Sequence, residues 1–410
     1  MTDFIVLGAG MVGVGSALAL QARGHEVCLI DRQAPGLETS HGNAGVIQSE
    51  AVEPYAIPRD LATLWSYASG QSNDVVWHLG HVLPMLPNLW RYFRASAPAA
   101  HKRAAASYVE LIRRALFDHA PLISASGAEP LIRRSGMGEL YRSPKALEAA
   151  QAHATRIEAE YGIPFETHSR AELQAAEPAL TGEVAGMVLW TSPWSSMDPG
   201  ALTRAYADLF VERGGQIVTG EAMTLTREPA QGWSVMTSDG KIHAEQAVVS
   251  LGPWSPALLA RFGRRVPMIL KRGYHGHYRT AQTLSRPYVD VDSGIVLSSM
   301  TRGLRITTGA ELTAASAPRC LRQLERGRQA AGELMEIGEA VPDSLWHGHR
   351  PCLAGMLPMV GPVAGEAGLW LNTGHGHQGF TLGPTTGEIL AQIVEGRQDA
   401  LTQALAPQFL

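Results

Sequence analysis

Gly8-Ala9-Gly10-Met11-Val12-Gly13 carries the spacing GxGxxG, and the chemistry that spacing serves is capture of a pyrophosphate. Gly8 permits a tight turn, Gly10 lets the backbone approach the phosphates, and Gly13 lets a following helix pack close to the preceding strand. The N–H groups of Met11 and Val12 would then open a helix N-terminus toward the anion. Alone the hexapeptide is a weak signal, because glycine-rich turns are common. Asp31 strengthens it. It lies eighteen residues beyond Gly13, at the end of a second apolar run and next to Arg32, where a carboxylate accepts hydrogen bonds from a ribose hydroxyl. The unit points to a dinucleotide and leaves open which one.

Further along, three segments carry groups suited to a small anionic substrate. Arg350, in Gly348-His349-Arg350-Pro351, offers a planar guanidinium that grips a carboxylate at two points. Arg302 and Arg305, in a strand-like run, are second candidates. Lys271–Tyr278 alternates polar and aromatic residues like a strand lining a pocket. There Tyr274 could cover a substrate, and His275 could bond its carboxylate or accept a proton; a strand with one solvated face is the competing reading.

Thr39–Gly45 supplies a second glycine- and hydroxyl-rich loop, with Ser40, Asn43, Ala44 and Gly45. The closing segment Gly374–Thr381 includes Gly376, His377, Gln378, Gly379 and Thr381 and leads into a helix N-terminus, which stabilises a developing anion. His-x-His pairs occur at 275/277, 347/349 and 375/377, but no neighbouring carboxylate or thiol completes a ligand set, so no metal is expected.

These groups need elements to hold them. Phe4–Leu7 reads as a buried strand, Val14–Arg23 as a helix stopped by Gly24, and Glu26–Ile30 as a second buried strand. Helices are expected over about 102–119, 144–161, 198–213 and 381–395. Asp239-Gly240 marks a hairpin, 247–251 and 369–371 read as buried strands, and 268–310 holds several strand-like runs. At 410 residues, two domains are expected. Cofactor-type signals at both ends and in the middle make the nucleotide domain discontinuous. The expected class is α/β, in a two-domain α+β arrangement. A Rossmann-like dinucleotide-binding domain takes 1–45, 145–175, 198–262 and 344–410. A mixed-sheet plus helical substrate domain takes 46–144, 176–197 and 263–343.

Composition excludes several classes. Hydrophobic residues at 45% and charged residues at 18% describe an ordinary globular chain. A net charge of −4 and a pI of about 6.4 give no electrostatic footprint for nucleic acid. Cys28, Cys320 and Cys352 are far apart and form no CxxC pair, which fits a reducing compartment and no structural zinc. Phe4–Leu20 is interrupted by glycines, lacks a basic run before it and is short of the roughly 20 residues of a membrane span. The expectation is a cytoplasmic protein without a transmembrane segment, peripheral association with the inner face of a membrane being compatible with it.

Taken together, the N-terminal turn, Ser40–Gly45, Trp90-Arg91-Tyr92-Phe93, Ala247–Trp254, Gly348–Pro351 and the closing glycine-histidine segment resemble the D-amino-acid oxidase-type flavoprotein family, most closely its bacterial D-amino-acid dehydrogenase branch. The resemblance spans nearly the whole chain. It implies non-covalent FAD lying extended, with the backbone near Met223 meeting the adenine, Gly252 in the third-strand turn, and the closing segment meeting the isoalloxazine. It places Arg350 facing the flavin.

The implied reaction is hydride transfer from the substrate Cα to flavin N5. This leaves an imino acid that hydrolyses to a 2-oxo acid and ammonia, with oxygen, a quinone or an electron-transfer protein as final acceptor. Oxidation of a secondary amine such as D-hydroxyproline or sarcosine, and a non-catalytic electron-relay subunit, are the alternatives. Two departures bear on substrate and attachment. Leu353-Ala354-Gly355 stands where many relatives have Thr-Pro-Asp. Cys352 falls several residues from the cysteine that holds FAD in sarcosine-oxidase relatives, and reads as a packed thiol.

Overall fold

The computed structural model describes residues 2–70, 72–228 and 232–409. Strand β1 (Thr2–Leu7), helix α1 (Met11–Gln21) and strand β2 (Val27–Asp31) form the expected opening unit. Both strands are buried on two faces, as continuous apolar runs in a parallel sheet should be. β1 lies between β2 and Gly240–Val249. Gln216–Glu228 extends the sheet beyond β2 and Leu369–Thr373 extends it on the other side, all parallel. The strand Met359–Pro362 closes one edge antiparallel.

Helix α1 packs against the closing helix Gly379–Val394, and glycines set the separation. A Cβ on Gly15 would stand 2.6 Å from the Gly383 carbonyl oxygen, and one on Gly387 would stand 2.5 Å from the Gly15 carbonyl. Gly13 is closer still to the turn: a Cβ there would stand 1.7 Å from the oxygen of Gly8.

A second, ten-stranded mixed sheet faces the first body. Its central strand, Met268–Tyr278, pairs antiparallel with both Trp346–Leu353 and Gly303–Thr308. The sheet continues through Ile295–Met300 and Tyr288–Asp290 to Met137–Tyr141. No described helix is long and apolar enough to cross a membrane.

Three segments pair or pack away from the body expected for them. The helix Pro144–Tyr161 and the strand Phe165–Ser169 were assigned to the nucleotide body, but Phe165–Ser169 pairs with Gly186–Trp190 in the ten-stranded sheet and the helix packs beside it. Trp346–Leu353 joins that sheet too. Conversely the long helix Pro98–Ala125, expected with the substrate domain, turns Tyr108, Leu111, Ile112 and Ala115 into the apolar cluster shared with α1 and the closing helix. A helix's own periodicity reveals its buried stripe but not which body the stripe joins.

Candidate active site

A cavity of about 650 Å³ runs between the two sheets, in the range of ligand pockets. One end is built by the opening unit. Gly8 adopts φ +103°, and a Cβ on it would meet the Ser250 carbonyl at 2.6 Å. Asp31 accepts from Ala9 N at 2.6 Å and from Gln33 N at 3.0 Å, so its carboxylate also clamps the turn. Ser40 Oγ accepts from Met11 N at 2.9 Å, pinning the second loop to the helix N-terminus. Arg32 lies over the Trp254 ring at 4.5 Å and pairs with Glu38. Gly8, Gly10, Met11, Val12, Asp31, Arg32, Ser40, Asn43, Ala44, Met223 and Gly252 all border this cavity.

The other end is closed by Arg350, Pro351, Cys352, Gly376, His377 and Gly379. The Arg350 guanidinium donates to Gly309 O at 2.7 Å and Thr308 O at 2.8 Å, and no carboxylate pairs with it among the described residues. Burial lowers its proton affinity without stripping the charge from a guanidinium. Lys271 stands opposite Arg350 in strand register, its Nζ 4.6 Å from the Tyr92 ring centre. Desolvation pushes His377 down to about 3 and His349 down to about 4, so both are neutral near pH 7.

Some expected site residues support the wall without bordering the cavity. Gly13 and Gly45 make close backbone approaches, to Gly8 and Ser196 respectively. Gln378 Nε2 donates to Gln48 Oε1 at 2.6 Å, and Thr381 Oγ1 accepts from Gln48 N at 3.2 Å.

Of four expected substrate contacts, Tyr274 reaches the cavity with its hydroxyl committed, and His275, Arg302 and Arg305 lie outside the lining. Tyr274 borders the cavity, but its hydroxyl donates to Glu311 at 2.6 Å and accepts from Arg272 and Cys320 N, so its polar end is committed elsewhere. His275 is fully buried, stacked on Trp346 at 5.2 Å, outside the cavity lining. Arg302 sits exposed on a turn, donating to Pro342 O and Asp343 O. Arg305 is buried behind the Thr39–Gly45 loop, holding His41 O at 2.9 Å and Asn43 O at 2.5 Å.

Lys271, Gln48, Tyr55 and Glu139 border the cavity and were not singled out from the sequence. An acid inside the otherwise apolar run Met137–Tyr141 was the available signal for Glu139.

The residues present fit a bound FAD. The turn glycines leave a cradle that a Cβ would crowd, the first turn of α1 carries no acidic side chain, and Asp31 waits at the end of β2. Ser250 Oγ and His377 Nε2, both buried and without a hydrogen-bond partner, border the cavity.

The model of the family described as FAD dependent oxidoreductase matches residues 3–393. The chain is 32% identical to a D-amino acid dehydrogenase of Cereibacter sphaeroides, covering 98% of this chain and 93% of that protein. It is 28% identical to a D-amino-acid oxidase of Bradyrhizobium diazoefficiens, covering 97% and 96%. Among solved structures, glycine oxidase from Geobacillus kaustophilus superposes with a TM-score of 0.73 at 19% identity, over 97% of this chain and 95% of that one.

Proposed function

Because the chain belongs to the FAD-dependent oxidoreductase family, we propose that it oxidises the CH–NH2 group of an amino acid, with a D-amino acid as the first assignment, to a 2-oxo acid and ammonia. Bound FAD supplies the acceptor for the hydride leaving Cα. The chain's own contribution is binding, orientation and exclusion of water.

The observation that carries this reading is Arg350. It is a charged guanidinium on the wall of the cavity, anchored to two carbonyl oxygens and lacking an anionic partner among the described residues. A substrate carboxylate supplies the missing anion, and the fixed plane of the guanidinium orients Cα. Lys271 adds a second positive charge on the same wall. Met137, Val289 and Val296 give the cavity an apolar side that keeps water from the reacting carbon. His349 and His377, held neutral by burial, accept no proton readily and repel no cationic substrate.

The test compares an amino acid with the matching amine that lacks its carboxylate. Arg350→Lys keeps a charge but loses the two-point grip, so kcat/KM for the amino acid should fall at least about tenfold, or 1.4 kcal/mol. The amine should hardly change. Equal losses on both would assign Arg350 to the cofactor or the fold instead.

A further inference from the structure

Glu139 stands on Met137–Tyr141 and borders the cavity. Its Oε2 accepts from Tyr141 OH at 2.7 Å, and no basic side chain pairs with it among the described residues. Glu50 is buried, pushed up to about 7 by desolvation and by the Glu139 charge, and pairs with no basic side chain among the described residues. Desolvation pushes Glu139 up as well, so its carboxylate is held best when a cation lies against it. The far end carries Arg350 and Lys271, neither paired with an acid among the described residues.

Register orders the residues between the two ends. Glu139 aligns with Val289, Val289 with Val296, and Val296 with Thr307, and all four border the cavity. Thr308, next along the strand, is the residue whose carbonyl holds Arg350. Three strand spacings of about 4.8 Å make roughly 14 Å from that strand to Glu139. That distance runs from backbone to backbone, so the Glu139 side chain and the Arg350 guanidinium that reaches Thr308 take up part of it. The remaining gap suits an amino acid with a long side chain ending in a cation better than glycine, alanine or proline.

We propose that Glu139 binds the distal cation of the substrate, so that the cavity selects basic amino acids of the ω-amino or guanidino type whose carboxylate rests on Arg350. The inference rests on the oxidoreductase reading above. A neutral side chain of equal length leaves the carboxylate buried and unpaired, and sites built around a polar contact reject analogues that lack it.

The experiment uses FAD-loaded protein and anaerobic flavin bleaching, followed by steady-state rates with a dye acceptor. Both enantiomers of arginine, lysine, citrulline and norleucine are the probes. Arginine of the accepted hand should exceed citrulline by at least about tenfold in kcat/KM. In Glu139→Gln that preference should collapse to within about twofold, through a raised KM for arginine, while flavin absorbance shows the fold intact. Glu139→Asp should retain part of the preference. Neutral substrates equalling basic ones, or a preference that survives Glu139→Gln, overturns the assignment of Glu139 and leaves the oxidoreductase reading standing. Bleaching by no amino acid or amine overturns both.

Discussion

The guanidinium of Arg350 lies against the bare backbone of Gly273: a Cβ built there would stand 2.8 Å from Nη2 and 2.9 Å from Cζ. The two residues sit on paired strands, where Lys271 opposes Arg350 and Gly273 opposes Gly348. A side chain at 273 would therefore displace the anion-binding group without touching the nucleotide end of the cavity. Gly273→Ala is expected to fold and retain FAD, because the backbone there is ordinary strand. KM for a carboxylate-bearing substrate should rise about tenfold or more as the clamp shifts. Steady-state kinetics beside an FAD titration checks this. An unchanged KM would mean that the guanidinium relaxes harmlessly or that it is not the clamp.

Asp31 has two tasks in the structure, the clamp on the Ala9 and Gln33 N–H groups and the position at the end of β2 suited to a ribose. Asp31→Ala should weaken FAD binding by about 1.5–3 kcal/mol, roughly 10- to 150-fold, with the fold retained. Fluorescence titration of apoprotein with FAD measures it. Full affinity in the variant would place the ribose contact elsewhere, with Arg32 the first neighbour to replace.

Much of this was legible because it is local. Asp198 caps Pro199–Glu212, Asp239-Gly240 turns a hairpin, and Ser169 with Glu172 forms a complete capping box. The signals at each of these positions lie within a few residues of the structure they specify. The failures are of another kind. Alternation along Lys271–Tyr278 divides the strand into two faces but does not say which functional groups remain free. The structure commits the Tyr274 hydroxyl to Glu311 and buries His275 against Trp346, while Lys271 and Gly273 border the cavity. Arg305 carries the right chemistry in the wrong layer, because its partners lie more than 260 positions away in the chain. Long-range pairing decides such cases, and no single-segment pattern contains it.

Cys352 borders the cavity, half-buried, and its Sγ would be 3.4 Å from a Cβ on Gly376. The thiol is thus near where a covalent flavin link would be sought, which makes attachment a sharp question. Acid precipitation of purified yellow protein should leave FAD in the supernatant. Flavin that stays with the pellet in the wild type and is released in Cys352→Ser would establish a covalent bond instead.

His119 is buried completely on the long helix. Nε2 faces the carbonyl oxygens of Phe380 and Thr381, both at 3.1 Å, so it carries the proton. Nδ1 then accepts from Tyr206 OH at 2.9 Å. Desolvation lowers its pKa from 6.5 to about 4. Between those values the unfolded chain binds more protons than the folded one, so stability is fully present above pH 6.5 and is lost as pH falls toward 4. A difference of about 2.5 units corresponds to about 3 kcal/mol. His119→Gln keeps a donor for the carbonyls and an acceptor for Tyr206 but removes the titration. Urea denaturation of both proteins at about pH 8 and about pH 4.5 should show the wild type losing roughly 2–3 kcal/mol more than the variant, since other titrating groups cancel in the difference. Equal losses in the two proteins would show that His119 titrates alike folded and unfolded, and that its burial between the long and closing helices is not what holds the imidazole neutral.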